Sequence, residues 1–229
     1  MNAVYGFFSM FLKILEDQKP DFIIVCFDRK APTFRKELFV GYQAKRPKMS
    51  DDLIPQVKFV HEILAKAKVE IFEVDGYEAD DLIGTLAFQA VPNAELRGSK
   101  TQKNAEETEV IIVSGDRDLL QLVNSHVKMI APVTGLTNMI IFDEALVFQK
   151  YGIKPSQMVD YKALVGDSSD NYPGVAGIGP KTAATLINEY GSLEEIYKNL
   201  EKITSKNPNL ALKLAEGAEA AGLAQKLAG

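Results

Sequence analysis

Eight acidic residues stand where they could act together. Asp28 follows the apolar run FIIVCF (22–27). Glu78, Asp80 and Asp81 sit in GYEADD, where VEIFEV (69–74) gives way to a helical pattern. Asp116 and Asp118 lie in SGDRD, directly after EVIIVS (109–114). Asp167 and Asp170 lie in GDSSDN, three residues apart and so able to share one face of a helical turn. Taken singly, each is an ordinary strand-end or helix-start acid, which satisfies free N–H groups and complements the helix dipole. Taken together they would repel one another and lose hydration, at a cost of several kcal/mol, unless a cation joined them. Oxygen-only ligands suit a hard divalent ion, Mg²⁺ with Mn²⁺ as a substitute. Two such ions suit phosphoryl chemistry: one lowers the pKa of a water, and both stabilise the charge building on phosphorus and the leaving oxygen.

Several elements must hold these acids in place. Four apolar runs read as strands: the three named above and VKMIAP (127–132). Helical patterns cover 2–17, 51–67 and 79–90, with a short one after Asp118. Continuous apolar strands alternating with helices predict an α/β fold, a parallel sheet with helices on both faces. Such sheets bind ligands beyond the carboxyl ends of their strands, which is where three of the four acid clusters fall. Residues 91–108 are polar and read as a solvated loop without chemistry of its own. Beyond about residue 154 only short helices and Gly/Pro turns remain. The expected division is 1–153 for the α/β domain and 154–229 for a small helical subdomain. Phe7, Phe8 and Phe11 form a helical stripe expected to pack in the core, and His61 and His126 are expected on helix faces or the surface rather than as ligands.

Composition sets the outer bounds. With 229 residues, 46% of them hydrophobic and 25% charged, the chain reads as an ordinary globular protein. Its single cysteine, Cys26, excludes an intrachain disulfide and suits a reducing, cytoplasmic setting. One Cys and two His leave little for a structural zinc site. The longest apolar strand-like run is too short to span a bilayer, so no membrane partner is expected. A formal net charge of −5 argues at first against a nucleic-acid partner. Setting the eight clustered acids aside turns the balance of the remaining residues positive, which removes the objection.

FDRKAPTFR, GYEADD, SGDRDLLQL, DYKALVGDSSDN and PGVAGIGPKTA, in this order, resemble the 5′ nuclease domain of bacterial DNA polymerase I, itself related to phage 5′ nucleases and flap endonucleases. The resemblance runs from NAVYGF at residue 2 to about residue 200. It implies a Rossmann-like (PIN/resolvase-like) nuclease domain followed by a helix-hairpin-helix subdomain. It implies two divalent ions held by Asp28, Glu78, Asp80, Asp81, Asp116, Asp118, Asp167 and Asp170, and a monovalent cation at the helix-hairpin-helix. The implied reaction is hydrolysis of DNA phosphodiester bonds near a junction of single and double strands or a 5′ flap. Asp28, Arg35, Lys45 and Arg46 fall on catalytic positions. A monomer is expected, and the resemblance leaves open whether a polymerase domain belongs to the same parent chain. The chain departs from the family pattern twice. A strand ending in an IDG-like aspartate normally precedes NAVYGF, so the nuclease domain reads as N-terminally truncated, its first strand missing. Gln43 stands where the family has a lysine after the tyrosine, with Lys45 and Arg46 close behind.

Two further segments read as DNA-holding. In GVAGIGPKTA (174–183), Gly174, Gly177 and Gly179 permit close approach of a backbone phosphate, Pro180 starts a helix, and Lys181 and Thr182 follow it. In 29–50, Arg29, Lys30, Arg35, Lys36, Lys45, Arg46 and Lys48 are interleaved with Phe34, Phe39 and Tyr42, cations and stacking platforms suited to a threaded single strand. Two alternatives to a flap nuclease are a junction-binding module that cuts poorly and a PIN-type ribonuclease.

Overall fold

The computed structural model describes residues 1–91, 108–134 and 138–229. Helix α1 (Asn2–Gln18) leads into β1 (Ile24–Cys26). After the short α2 (Phe34–Leu38), α3 (Ile54–Lys66) crosses over to β2 (Glu70–Phe72), which lies parallel to β1 with Ile24 opposite Glu70 and Cys26 opposite Phe72. A parallel pair needs such a crossover, because no hairpin can return the chain in the same direction. Helix α4 (Ala79–Ala90) follows, and then β3 (Val110–Val113), a 3₁₀ turn at 118–122, β4 (Val127–Thr134) and β5 (Asn138–Phe142). Strand β4 is parallel to β3 and antiparallel to β5.

The α/β class expected from the alternating pattern is present, with two differences. Among the described residues the five strands up to residue 142 form two separate sheets, β1–β2 and β3–β4–β5. The second sheet is mixed, because NMIIF (138–142) folds back as an antiparallel edge. Residues 92–107, expected as a solvated loop, lie outside the described residues.

From α5 (Glu144–Tyr151) onward the chain is almost entirely helical: α6 (Met158–Val165), α7 (Pro180–Tyr190), α8 (Leu193–Lys198), α9 (Leu200–Lys206), α10 (Pro208–Glu216) and α11 (Ala218–Ala228). Between α6 and α7 lies a minimal antiparallel ladder, β6 (Gly166–Asp167) with β7 (Tyr172–Pro173). Small residues let α11 lie close on α6: Ala221, Ala224 and Ala228 are all buried, as is Ala163 opposite them.

One apolar core joins the two parts. It runs from Ile112, Val127, Met129 and Phe142 of the second sheet through Leu164, Ile187 and Leu214 to Leu227. The first 70 residues add little to it. Helix α1 has no fully buried residue, so the Phe7–Phe8–Phe11 stripe, expected in the core, is a half-buried cluster of rings outside the main core, with centroids 5.1 to 6.1 Å apart. His61 lies half-buried against the Phe27 ring, as a helix-face residue would. Among the described residues no helix is long and apolar enough to cross a membrane.

Candidate metal-binding active site

The acids converge because each ends an element that points into one cleft. Asp28 leaves β1 and accepts a hydrogen bond from the Ala79 N–H at 2.7 Å, tying the first strand to the start of α4. Glu78 and Asp81 form a reciprocal capping box at that same helix start, with the Glu78 N–H donating to Asp81 at 2.8 Å. Beyond β3, Ser114 Oγ receives the Asp116 N–H, and the Asp116 carboxylate receives the Asp118 N–H at 2.9 Å, which opens the 3₁₀ turn. Asp167 and Asp170 do not share a helical turn, as their spacing had suggested. They sit on the β6–β7 hairpin, where Asp167 accepts from the N–H groups of Ser169 at 2.6 Å and Asp170 at 3.2 Å.

Seven of the eight acids line one open cavity of about 610 Å³ or touch its wall residues directly. The eighth, Asp167, joins them through Lys162, which bridges it to Asp118. Oxygens of Asp118, Asp167 and Asp170 all lie within 4.8 Å of one another.

The charges are compensated unevenly. Arg35 is 6% exposed and grips Asp81 with two hydrogen bonds of 2.9 Å each, and its Nε donates to the Leu227 carbonyl, also at 2.9 Å. Tyr42 is 4% exposed and donates its hydroxyl to Glu78 at 3.1 Å, with Asp170 at 3.4 Å. Burial pushes the Glu78 carboxyl up, against the pull of Arg35 and Tyr42. Burial also works to raise the Asp167 carboxyl, but the Lys162 hydrogen bond and charge outweigh it and hold that carboxyl low. Asp80 has no such relief. Burial first, then the charges of Asp116, Asp28, Glu78 and Asp81, push its carboxyl up to about 7. Asp170 is likewise raised, chiefly by burial, and its Oδ1 is buried without a hydrogen-bond partner.

A cluster of hard oxygen donors only partly compensated by Arg35, Lys162 and Arg46, with a buried orphan oxygen, fits divalent cations, which would supply both the missing charge and the missing partner. Asp28, Asp80, Asp116, Asp118, Asp167 and Asp170 are the residues whose oxygens remain for that role. Asp81 is different, since both its oxygens are held by Arg35.

In the basic segment 29–50 Thr33, Arg35 and Tyr42 are buried, while Arg29, Lys30, Lys36, Lys45, Arg46 and Lys48 are exposed. Arg35 and Tyr42, expected to meet substrate, are buried beneath the acids, and Phe39 packs against the core. The cause is visible in the partners: a guanidinium facing a bidentate carboxylate stays with it when water is excluded. Lys45 and Arg46 are exposed, and Arg46 reaches to 3.9 Å from Asp170 Oδ1. Gln43 adopts φ 54° and donates its backbone N–H to the Asp170 carbonyl at 2.8 Å.

The 174–183 turn presents Gly177, Gly179, Pro180 and Lys181 to solvent on a base of buried Val175 and Ile178. Gly177 has φ +75° and its carbonyl accepts from Lys213 Nζ at 3.3 Å, whereas a side chain on Gly179 would meet nothing within 4 Å, so the backbone at Gly179 lies open. Thr182 is half-buried in its first turn. Gly174 has another task. A Cβ there would lie 2.3 Å from the Gly166 N, so this glycine lets two backbones touch.

Sequence reasoning passed over three residues of the site. Lys162 lies in the DYKALVGD run, Thr33 donates to Glu78 at 3.4 Å, and Gln121 donates to the Ala228 carbonyl at 3.0 Å. Only Lys162 carried a signal, a cation five residues ahead of a clustered acid.

Comparison with known proteins agrees with this architecture. Residues 1–152 match the family described as the 5′-3′ exonuclease N-terminal resolvase-like domain, and residues 153–229 match its C-terminal SAM fold. DNA polymerase I of Caldicellulosiruptor bescii is 43% identical over 229 residues, which cover 99% of this chain and 25% of that protein. The 5′-3′ exonuclease of Aquifex aeolicus is 40% identical over 207 residues, covering 90% of this chain and 66% of that one. The chain thus spans about a quarter of the length of the DNA polymerase I relatives it matches. Among solved structures, bacteriophage T5 5′-exonuclease with bound zinc superposes with a TM-score of 0.70 at 19% identity, over 98% of this chain and 80% of that one. A T5 flap endonuclease complex with DNA and metal ions gives 0.72 at 19%, with the same coverage. The catalytic core of Rad2 with DNA substrate gives 0.56 at 18%, over 94% and 65%.

Proposed function

The chain belongs to the 5′-3′ exonuclease family, a resolvase-like domain followed by a SAM-fold helical domain, and from that premise we propose that it hydrolyses DNA phosphodiester bonds at 5′ ends and 5′ flaps with Mg²⁺. The observation that carries this reading is the cavity in which Asp80 is pushed up by burial and the surrounding acids, and Asp170 Oδ1 is buried without a hydrogen-bond partner. Divalent ions held there would supply Lewis-acid activation of water and neutralise charge developing on the phosphate.

The side chains divide the work. Asp118, Asp167 and Asp170, whose oxygens lie within 4.8 Å of one another, would hold one ion, and Asp80, with Asp28 and Asp116 whose charges act on it, would hold the other. Arg35, Asp81, Glu78 and Tyr42 brace the α4 start from which Asp80 projects. Arg46, with Lys45 beside it, stands at the cavity mouth where a phosphate would enter, in place of the lysine that Gln43 replaces. The open backbone at Gly179, with Lys181, would grip a duplex phosphate without reading sequence, so that shape selects the substrate. We propose the subdomain division at residue 153, a monomer as the working unit and the cytoplasm as its setting; the lone cysteine agrees with that setting.

The test is cleavage of a 5′-labelled flap with Mg²⁺ by the chain and by an Asp116→Asn, Asp118→Asn double variant. Junction-proximal cutting by the first, and none by the second with flap binding retained in Ca²⁺, is expected. Equal turnover in the double variant removes the assignment.

A further inference from the structure

The tightest group of carboxylates already contains a cation of the protein's own. The Lys162 ammonium, on the last turn of α6, contacts Asp118 Oδ1 and lies 2.6 Å from Asp167 Oδ2. Its side chain is 12% exposed, and the two acids are 19% and 14% exposed. These are two of the three residues whose oxygens converge within 4.8 Å, and the third, Asp170, has the orphan Oδ1. One ammonium among three carboxylates leaves the group strongly negative. It also engages an oxygen of each of two acids that a divalent ion at this point would need.

We propose that Lys162 is a tethered competitor of the second divalent ion: it holds Asp118 and Asp167 together in the ion's absence and must leave their oxygens when the ion arrives. This rests on the metal-binding reading given above. The chemistry of the two cations supports the exchange. An ammonium on a flexible four-carbon stem is a compact point charge that can swing away without unfolding α6, which a planar bidentate guanidinium could not do as easily. The contrast with Arg35 is instructive. Arg35 is locked by three hydrogen bonds, one of them to a backbone carbonyl, whereas both of the Lys162 contacts are to acids of the cluster. The apparent affinity for the second ion is therefore the intrinsic affinity reduced by the fraction of molecules in which Lys162 has withdrawn.

The test is Mn²⁺ binding to the full chain, followed by the electron paramagnetic resonance of the free ion. In Lys162→Met the weaker of two Mn²⁺ affinities should tighten by on the order of tenfold, as removal of a competitor does when the binding-competent state is the minor one. Lys128→Met, which breaks a surface pair with Glu109, should leave it unchanged. A purely structural lysine predicts the opposite, because its loss would let the acids drift apart; unchanged or weaker binding in Lys162→Met overturns the proposal. Wild-type chain that binds no Mn²⁺ at all removes the metal-site reading, and the proposal with it. A second measurement needs no variant: the Lys162 NH₃⁺ signal in a ¹H–¹⁵N spectrum, visible while ion-paired, should vanish on saturation with Ca²⁺. Its persistence at saturation overturns the exchange.

Discussion

Replacing Arg35 by methionine tests how the site is held. The guanidinium is 6% exposed and gives all three of its hydrogen bonds of 2.9 Å to internal acceptors, two on Asp81 and one on the Leu227 carbonyl. Methionine keeps much of the volume and removes every donor. Asp81 is then left as a largely buried carboxylate facing apolar surface, with Glu78 beside it. Removing one partner of a buried pair costs about 3–5 kcal/mol, most of it the stranded charge. For a domain of this size each kcal/mol lowers Tm by about 2–4 °C, so a fall of roughly 6–20 °C is expected. Circular dichroism melts in EDTA would measure it. Adding Asp81→Asn to Arg35→Met should recover part of the loss, since the stranded charge is gone; a coupling of about 1–3 kcal/mol is expected from the double-mutant cycle. A melt within about 2 °C of wild type, or strict additivity in the cycle, would refute the reasoning.

Three other outcomes follow from the geometry. Because the Asp80 carboxyl is raised to about 7 in the fold from 3.8, its contribution is fully present below the lower value and is lost as pH rises through the upper one; metal-free stability should fall across that window, and Asp80→Asn should flatten the fall in EDTA melts. Saturating Ca²⁺ should reverse the slope, because the ion binds the charged form. Lys181→Ala should weaken duplex binding equally for all sequences and lower the salt slope by about one unit, read from fluorescence anisotropy at several KCl concentrations. Gly174→Ala places a methyl 2.3 Å from the Gly166 N; a loss of at least about 1–3 kcal/mol in urea unfolding is expected, as for other overpacked positions.

The carboxylates were legible in the sequence because strand ends and helix starts announce themselves through apolar runs and capping residues. The α/β alternation was equally plain. What the sequence hid was depth. Arg35 and Tyr42 look like surface residues of a basic loop; only the fold puts the Leu227 carbonyl of α11 against one of them and Glu78 and Asp170 against the other. The Asp167–Asp170 spacing suits a helical turn as well as a hairpin, and Gly166 and Gly174, which must touch, decided for the hairpin. Strand β5 could have been found, since Met139 to Phe142 is an apolar run bounded by a Gly/Thr/Asn turn. The aromatic stripe of α1 misled because helical periodicity shows which residues share a face, not what that face meets.

The bond between Arg35 and the Leu227 carbonyl joins positions 192 residues apart. Closing so long a loop is entropically expensive and slow compared with the local contacts of helices. It also orders events on the ribosome. Asp28, Asp80 and Asp116 emerge early, whereas Leu227 appears 146 residues after Asp81, roughly 7–30 s later at ordinary synthesis rates. During that interval the acids exist without the helix that pins their brace. A chain built this way completes its acidic site only when the helical part is synthesised, so a nascent chain carries the carboxylates before it carries a rigid site.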